Sequence, residues 1–427
     1  MPYMTENTWV SGVRHYLSDS GLPSLARMPG DCRSFTRKRI LTPAVLLYNI
    51  LDPGRETASV KLSRMNSHVI PGLLSNPGNG GRTVSQQALS KARGHLNPEC
   101  VRGLFLNTLP RYISGEDEGK DVYGCYHLMA DGTWLRLYKT RENMAGSMVR
   151  DNCPMAKVSM VYDGFGRCAS DVLISFDCRN EMRMLLENIR NIISRGAPPE
   201  TLLVICDRGY ESLPLFRELS SSGVYFVIRG KKLSRHSAFL RIFGDASETD
   251  ITVDVDGLSL RRVTVDLGEG RTEWLYTNDL RRPEDSFKAL YNERWGIECA
   301  FKSAKGNYEI ECVGGNSPLM VEQDFWATMA LGNLMAAIGR DVSLQAEGEH
   351  PDDETHVRKA NDNKAIGLMK QKLISALVEE DQSRRDAIIN EIRAEMKRYV
   401  MVYRRNRSFG RSLSKNVRFP VNHRYNV

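Results

Sequence analysis

Apolar positions recur at helical spacing through roughly the first 115 residues. "RKRILTPAVLLYNIL" opens on polar and ionic residues and continues as an apolar helix from about Pro43. "TVSQQALSKARGHL" offers Ser85 as an N-cap, with Ala88, Leu89 and Ala92 on the buried side and Lys91 and Arg93 outward. "SNPGNGGR" (75–82) is a connector of turn formers. From about residue 121 the period changes to two. "GCYHLMADGTWLRLY" (124–138) alternates, and "AKVSMVYD" (156–163) and "RCASDVLISF" (167–176) flank the turn "DGFG", which predicts a hairpin. "NEMRMLLENIRNIISRG" (180–196) returns to helical spacing between a starting Asn and a closing Gly. "TLLVICD" (201–207) and "VYFVIRG" are unbroken apolar runs, as expected of strands buried on both faces, with the helix "YESLPLFRELSSSG" between them.

Three antiparallel strands, helix, strand, helix, strand predict a mixed α/β sheet flanked by helices. Residues 235–280 interrupt this with short alternating strands and Gly turns, a β-rich insertion. "MVEQDFWATMALGNLMAAIGRDV" (320–342) predicts a buried helix. An acidic linker (346–356), two further helices reaching into "RYVMVY", and a basic tail close the chain. The expected organisation is a helical N-terminal domain over 1–115, an α/β domain over 121–342, and a helical C-terminal region over 343–427.

One stretch stands out, "LYNERWGIECAFKSAKG" (290–306). Read as a single helix, it places Tyr291, Arg294, Glu298 and Lys305 within a sector of about 60°, beside a buried stripe of Leu290, Ile297, Phe301, Ala304 and Tyr308. Arg294 and Glu298 are an i,i+4 pair, so a solvated, salt-bridged face is the simplest account of half of it. It leaves the Tyr and the Lys in the same line unexplained.

Composition adds limits. With 41 % hydrophobic and 26 % charged residues the chain can bury a core, and no apolar run is long enough to span a membrane. The start lacks a signal-peptide pattern, so a cytoplasmic location is expected. The nine cysteines are scattered singly without a CxxC pair, which argues against a disulfide framework. Cys206 and Cys299 are expected as small core residues. Cys125 and His127 share a strand face, but two ligands do not make a zinc site. The net charge of +7 is unevenly spread: +8 over residues 1–115, +9 over 397–427 and −10 between them. Basic ends around an acidic middle suit a polyanion gripped at its flanks, and equally a globular enzyme with a basic tail.

Asp131 ends the apolar run "YHLMAD", and Asp207 ends "LLVICD" at the carboxyl end of a buried strand, the edge where α/β sheets gather sites. A carboxylate at either place needs a partner. For Asp207, capping the following helix is the plain alternative. Together with Glu298 they would form a set of hard oxygen donors, suited to Mg²⁺ or Mn²⁺ rather than zinc.

Tyr291-x2-Arg294-x3-Glu298-x6-Lys305 resembles the Y-R-E-K signature of DDE-type bacterial insertion-sequence transposases. "ADGTWLRL" resembles the family's first catalytic Asp segment, with Thr133 where many relatives have Ser, and "LLVICDRGYESLPLFRELSSSGVYFVIRG" its second. "TVSQQALSKARGHL" is similar to its N-terminal segment and "RNRSFGRSLSK" to its basic ending, so the likeness runs along nearly the whole chain. The strand order also matches the ribonuclease H-like fold. The resemblance implies a transposase that binds the inverted-repeat ends of its element and then target DNA, as a homodimer across two ends. It implies a catalytic triad of Asp131, Asp207 and Glu298 holding two Mg²⁺ (or Mn²⁺) ions. It further implies DNA contacts from Tyr291, Arg294 and Lys305, a helical DNA-binding domain at the N-terminus, and action at the bacterial nucleoid. Trp274 is the nearest candidate for a base-stacking aromatic in the β-rich insertion, though core packing is its plainer reading. Trp295 is given no role. Glu181 lies where relatives often carry a Glu, and a surface helix Glu is its simpler account. Arg208 and Tyr210 could position Asp207 or touch DNA. A DNA-binding derivative without catalysis and a ribonuclease H-like nuclease remain the alternatives.

Overall fold

The alternating segments pair as their hydrophobic pattern requires. The computed structural model describes residues 6–37, 39–52, 58–69, 83–110, 112, 118–231, 238–244, 248–268, 271–306, 310 and 317–404. The connector at 75–82, Tyr308 and the basic tail beyond residue 404 lie outside them.

By its internal contacts the chain divides into two compact units, residues 1–16 with 97–337 and residues 17–96 with 338–427. In the first unit β1 (Tyr126–Arg136), β2 (Met148–Arg150), β3 (Cys153–Asp163) and β4 (Cys168–Ser175) are antiparallel neighbours, in the order β4 and β2 on β3, then β1. The "DGFG" turn joins β3 to β4, its backbone held where Gly166 N–H donates to Asp163 Oδ1 at 2.7 Å. β5 (Leu202–Cys206) and β6 (Tyr225–Arg229) then add in parallel to β1. Every residue of β5 is buried, as an unbroken apolar run demands of a strand covered on both faces.

Helix α1 (Glu181–Ser194) connects β4 to β5, and α2 (Leu213–Ser221) connects β5 to β6. Asn180 caps α1 by accepting from the Met182 and Arg183 N–H groups. Met184, Leu185, Ile189 and Ile192 form the stripe that α1 buries, and Leu215, Phe216 and Leu219 that of α2. The order β4-β3-β1-β5-β6 with these crossovers is ribonuclease H-like, as expected. The β-rich segment forms β7 (Asp250–Val255), β8 (Leu258–Gly268) and β9 (Arg271–Thr277). β9 pairs antiparallel with β6, so the segment prolongs the same sheet to nine strands among the described residues.

In the second unit Thr42 caps Pro43–Leu51 and Ser85 caps Gln86–Arg93, each accepting from the N–H three residues on. Leu89 is buried there, whereas Ala88 is exposed. Helices Asp362–Val378 and Gln382–Arg398 follow the predicted periods, but Met401–Arg404, expected to prolong the last helix, pairs as a strand with His356–Lys359. The Tyr48 hydroxyl donates to the Leu377 carbonyl at 3.2 Å, tying early and late sequence within this unit. Among the described residues no helix is long and apolar enough to cross a membrane.

Candidate active site

The last paired residues of the parallel strands β1 and β5 are Ala130 and Cys206. Asp131 and Asp207 are the next residue on each strand, so they stand side by side where β5 ends. In-register neighbours on parallel strands point to the same face. On that face His127, Met129, Asp131 and Thr133 follow one another at alternate positions of β1.

The predicted helix 290–306 crosses this face in two pieces, α3 (Ser286–Asn292) and α4 (Trp295–Gly306). The single-helix expectation fails at Glu293 and Arg294. There Glu293 N–H donates to Leu290 O, Arg294 N–H to Tyr291 O and Ile297 N–H to Arg294 O, each at 3.1–3.2 Å. These i→i+3 bonds wind the chain more tightly than an α-helix, so a constant 100° per residue does not carry across the joint.

The four signature residues reach different partners. The Tyr291 hydroxyl donates to Asp207 Oδ1 at 3.2 Å. Arg294 Nη2 donates to Glu298 Oε1 at 2.6 Å, with the guanidinium 5.7 Å from the Tyr291 ring centre. Lys305 Nζ donates to the Trp134 carbonyl at 2.7 Å, far along β1. Arg294 is only 8 % exposed, so its pairing with Glu298 is not a solvated surface bridge.

The surroundings shift the two aspartates in opposite directions. Burial pushes the Asp131 carboxyl up to about 6; the Gly132 N–H and Arg294 oppose the rise, and Glu181 and Asp207 add to it. Burial acts the same way on Asp207, but the Arg208 N–H, Arg294, Arg229 and the Tyr291 hydroxyl outweigh it and hold its pKa below the usual value. The Asp207 side chain is not spent on capping the following turn. Arg229, at the end of β6, pairs with Glu273 and approaches Asp207 at 3.4 Å. Sequence reasoning missed Arg229; its only signal was an arginine closing an apolar strand.

Glu181 is more than a surface helix residue. Its carboxylate takes the Lys157 ammonium at 3.1 Å and the buried Tyr210 hydroxyl at 3.0 Å. It lies over Gly132, where a Cβ would come within 2.5 Å of Glu181 Oε1. Tyr210 therefore supports Glu181, while Arg208 is exposed and contributes its backbone N–H to Asp207. Trp274 sits mid-strand in β9 opposite Thr264, half-buried, with the Arg262 guanidinium 4.9 Å from its ring centre. Trp295 is 46 % exposed, with Lys302 Nζ 4.8 Å from its ring centre. Cys206 is buried, as expected, but Cys299 is exposed.

The donor chemistry of Asp131 and Asp207 suits a divalent cation: two hard carboxylates follow neighbouring strand ends, and burial disfavours the anion of one of them. Glu298 is turned to Arg294 instead, and among the described residues no three His, Cys, Asp or Glu side chains converge closely enough to hold an ion.

The family model for the transposase DDE domain matches residues 125–334. The curated protein named "Putative transposase y4zB", from Sinorhizobium fredii, is 30 % identical over 150 residues. That match spans 32 % of this chain and 42 % of the relative, less than half of its length. Among solved structures, the cryo-EM structure of the piggyBac transposase synaptic complex with hairpin DNA is similar at a TM-score of 0.47 and 11 % identity, covering 89 % of this chain and 84 % of that one. Residues 125–334, just under half of the chain, match the transposase DDE domain, and Asp131, Asp207 and Glu298 all lie within that match.

Proposed function

We propose that the chain binds the inverted-repeat ends of its own insertion sequence and catalyses Mg²⁺-dependent strand cleavage and transfer into target DNA, acting as a homodimer with one active site per end, at the bacterial nucleoid. The observation that carries this reading is the strand register, which sets Asp131 beside Asp207 under the face that α4 covers. Asp131, Asp207 and Glu298 would hold two Mg²⁺ or Mn²⁺ ions. When bound, such ions activate the attacking oxygen and neutralise charge on the leaving one.

The chain's own groups have separable tasks. Glu298 joins the aspartates by giving up Arg294, and a backbone phosphate is a natural replacement partner for that guanidinium, which can grip it with two hydrogen bonds. Lys305 would meet the same strand further along as a point charge. Tyr291 holds Asp207 oriented through its hydroxyl and presents its ring beside Arg294. Trp274 would contact a displaced base only by exchanging its Arg262 partner.

The test is cleavage of end-bearing DNA with Mg²⁺. Asp131→Ala, Asp207→Ala and Glu298→Ala are each expected to lose cleavage by about 10³-fold or more while still binding the ends. Full cleavage by Glu298→Ala would remove it from the triad. Cleavage of RNA–DNA hybrid without end preference would favour a ribonuclease H-like nuclease instead.

A further inference from the structure

His127 and Glu293 lie outside the triad and outside the signature, yet they meet at the joint between α3 and α4. His127 Nδ1 is 2.7 Å from Glu293 Oε2, and His127 Nε2 is 2.8 Å from Asp121 Oδ2. Carboxylates at neutral pH only accept, so both ring nitrogens must carry protons for both contacts to be hydrogen bonds. The bridge is therefore an imidazolium between two carboxylates. Its far end is anchored, since the Asp121 carboxylate also pairs with buried Arg282 at 2.5 Å, and Arg282 in turn with buried Asp279.

The contacts between β1 and the helices run in one order. Glu293 meets His127, Gly296 comes within 3.2 Å of the Met129 methyl when a Cβ is built on it, and Lys305 reaches the Trp134 carbonyl. Seven residues of strand span about 23 Å. Twelve residues, most of them helical, span about 18 Å. The two lengths are close enough for one helix to be pinned to one strand at both ends. Gly296 allows the close approach between the pins. Between the same pins lie Arg294 and Glu298, in the tight turn and the first turn of α4. A turn wound by i→i+3 bonds is a poor hinge to leave unsupported, because its setting decides which way both side chains face.

We propose that Glu293, gripped by His127, is a positioning residue that sets the α3–α4 joint and so the orientation of Arg294 and Glu298 toward Asp131 and Asp207. The inference rests on the proposed strand-cleaving function for its catalytic consequence, but not for its structural one. It also implies a pH dependence of known sign. Burial opposes protonation of His127, but Glu293 and Asp121 outweigh it and raise its pKa above the ordinary value. The bridge is thus complete below about pH 6.5 and is lost as pH rises through the raised value. The charged groups around the imidazole are Asp121 and Arg282 on one side and Glu293 on the other.

The experiment pairs hydrogen exchange of the full chain with cleavage kinetics, for wild type, Glu293→Ala, Glu293→Gln and His127→Ala. Glu293 is substantially exposed, so its variants are expected to fold, and circular dichroism checks this. Exchange of amides in 294–302, corrected for intrinsic rate, is expected to speed roughly tenfold at pH 6 in Glu293→Ala and His127→Ala. The wild-type advantage should shrink as pH rises through the raised His127 value. Cleavage by Glu293→Ala is expected to fall about tenfold or more in kcat with KM for the DNA ends unchanged. Glu293→Gln, which keeps an acceptor for the imidazole, should recover most of that rate with a flatter pH profile. Unchanged exchange across 294–302 in Glu293→Ala and His127→Ala overturns the proposal, as does equal kcat in Glu293→Ala and wild type. A wild-type protein that never cleaves would sink the functional reading, while the exchange result would still decide the joint.

Discussion

Two glycines show how a missing side chain can shape the site. At Gly132 a Cβ would fall 2.5 Å from a Glu181 oxygen, and that carboxylate is already held by Lys157 and Tyr210, so it cannot swing aside freely. At Gly296 the nearest atom is the terminal methyl of Met129 at 3.2 Å, the end of a flexible chain. Gly132→Ala is therefore expected to destabilise by about 1–3 kcal/mol and to depress cleavage. Gly296→Ala is expected to cost less than about 1 kcal/mol, because its loss of fit is offset by better helix propensity. Urea denaturation of both variants checks the contrast; equal costs would mean that Glu181 is not held as described. Gly132 was legible in the sequence only as a turn-like "DGT". Its steric role depends on a helix 49 positions later folding over it.

At the scale of elements, the chain entering β1 is fastened by charge as well as by the ladder. Burial raises the pKa of Asp121, but the Cys125 N–H, Arg282 and His127 outweigh it and bring the carboxyl down to about 2. A depressed carboxylate adds stability that is full above its unfolded value and is lost as pH falls through the folded one. Asp121→Asn should therefore cost about 2 kcal/mol at neutral pH, with the deficit shrinking as pH falls below about 4. Denaturant titrations at pH 7 and near pH 2 measure both arms, and an equal deficit at the two would exclude the ionic account. The quoted stretch teaches the complementary lesson. Its apolar stripe correctly placed Ile297 and Ala304 in the core. Helical periodicity has no signal for an i→i+3 turn at Glu293–Arg294, which is held in part by a partner on another strand.

At the scale of the molecule, the proposed function makes the charge distribution a matter of DNA binding. The residues beyond 404 carry six Lys and Arg and no acid. Ending the chain at residue 404 should weaken binding to DNA ends and reduce the slope of log affinity against log salt by up to about 5, since each phosphate neutralised contributes about 0.9. A slope unchanged by the truncation would mean that the tail takes no part in binding. Residues 17–96 join the segment from 338 onward in one compact unit, which their separate periodicities could not announce.

Local physics was enough to determine a good deal from sequence. Alternation and apolar runs set β1, β3, β4, β5 and β6, caps at Ser85 and Asn180 set helix starts, and the "DGFG" turn set the hairpin. Residues of those types leave the backbone few other ways to bury its apolar groups. The spacing of Tyr291, Arg294, Glu298 and Lys305 marked the segment that the fold brings to Asp207 through the Tyr291 hydroxyl. Tertiary structure alone decided the rest: that Asp131 and Asp207 are neighbours, that Glu298 faces Arg294, that Glu181 reaches over Gly132, that Arg229 approaches Asp207 and that His127 bridges to the α3–α4 joint. Each depends on the register between segments distant in sequence, and register is set by how whole faces pack, which no single segment encodes.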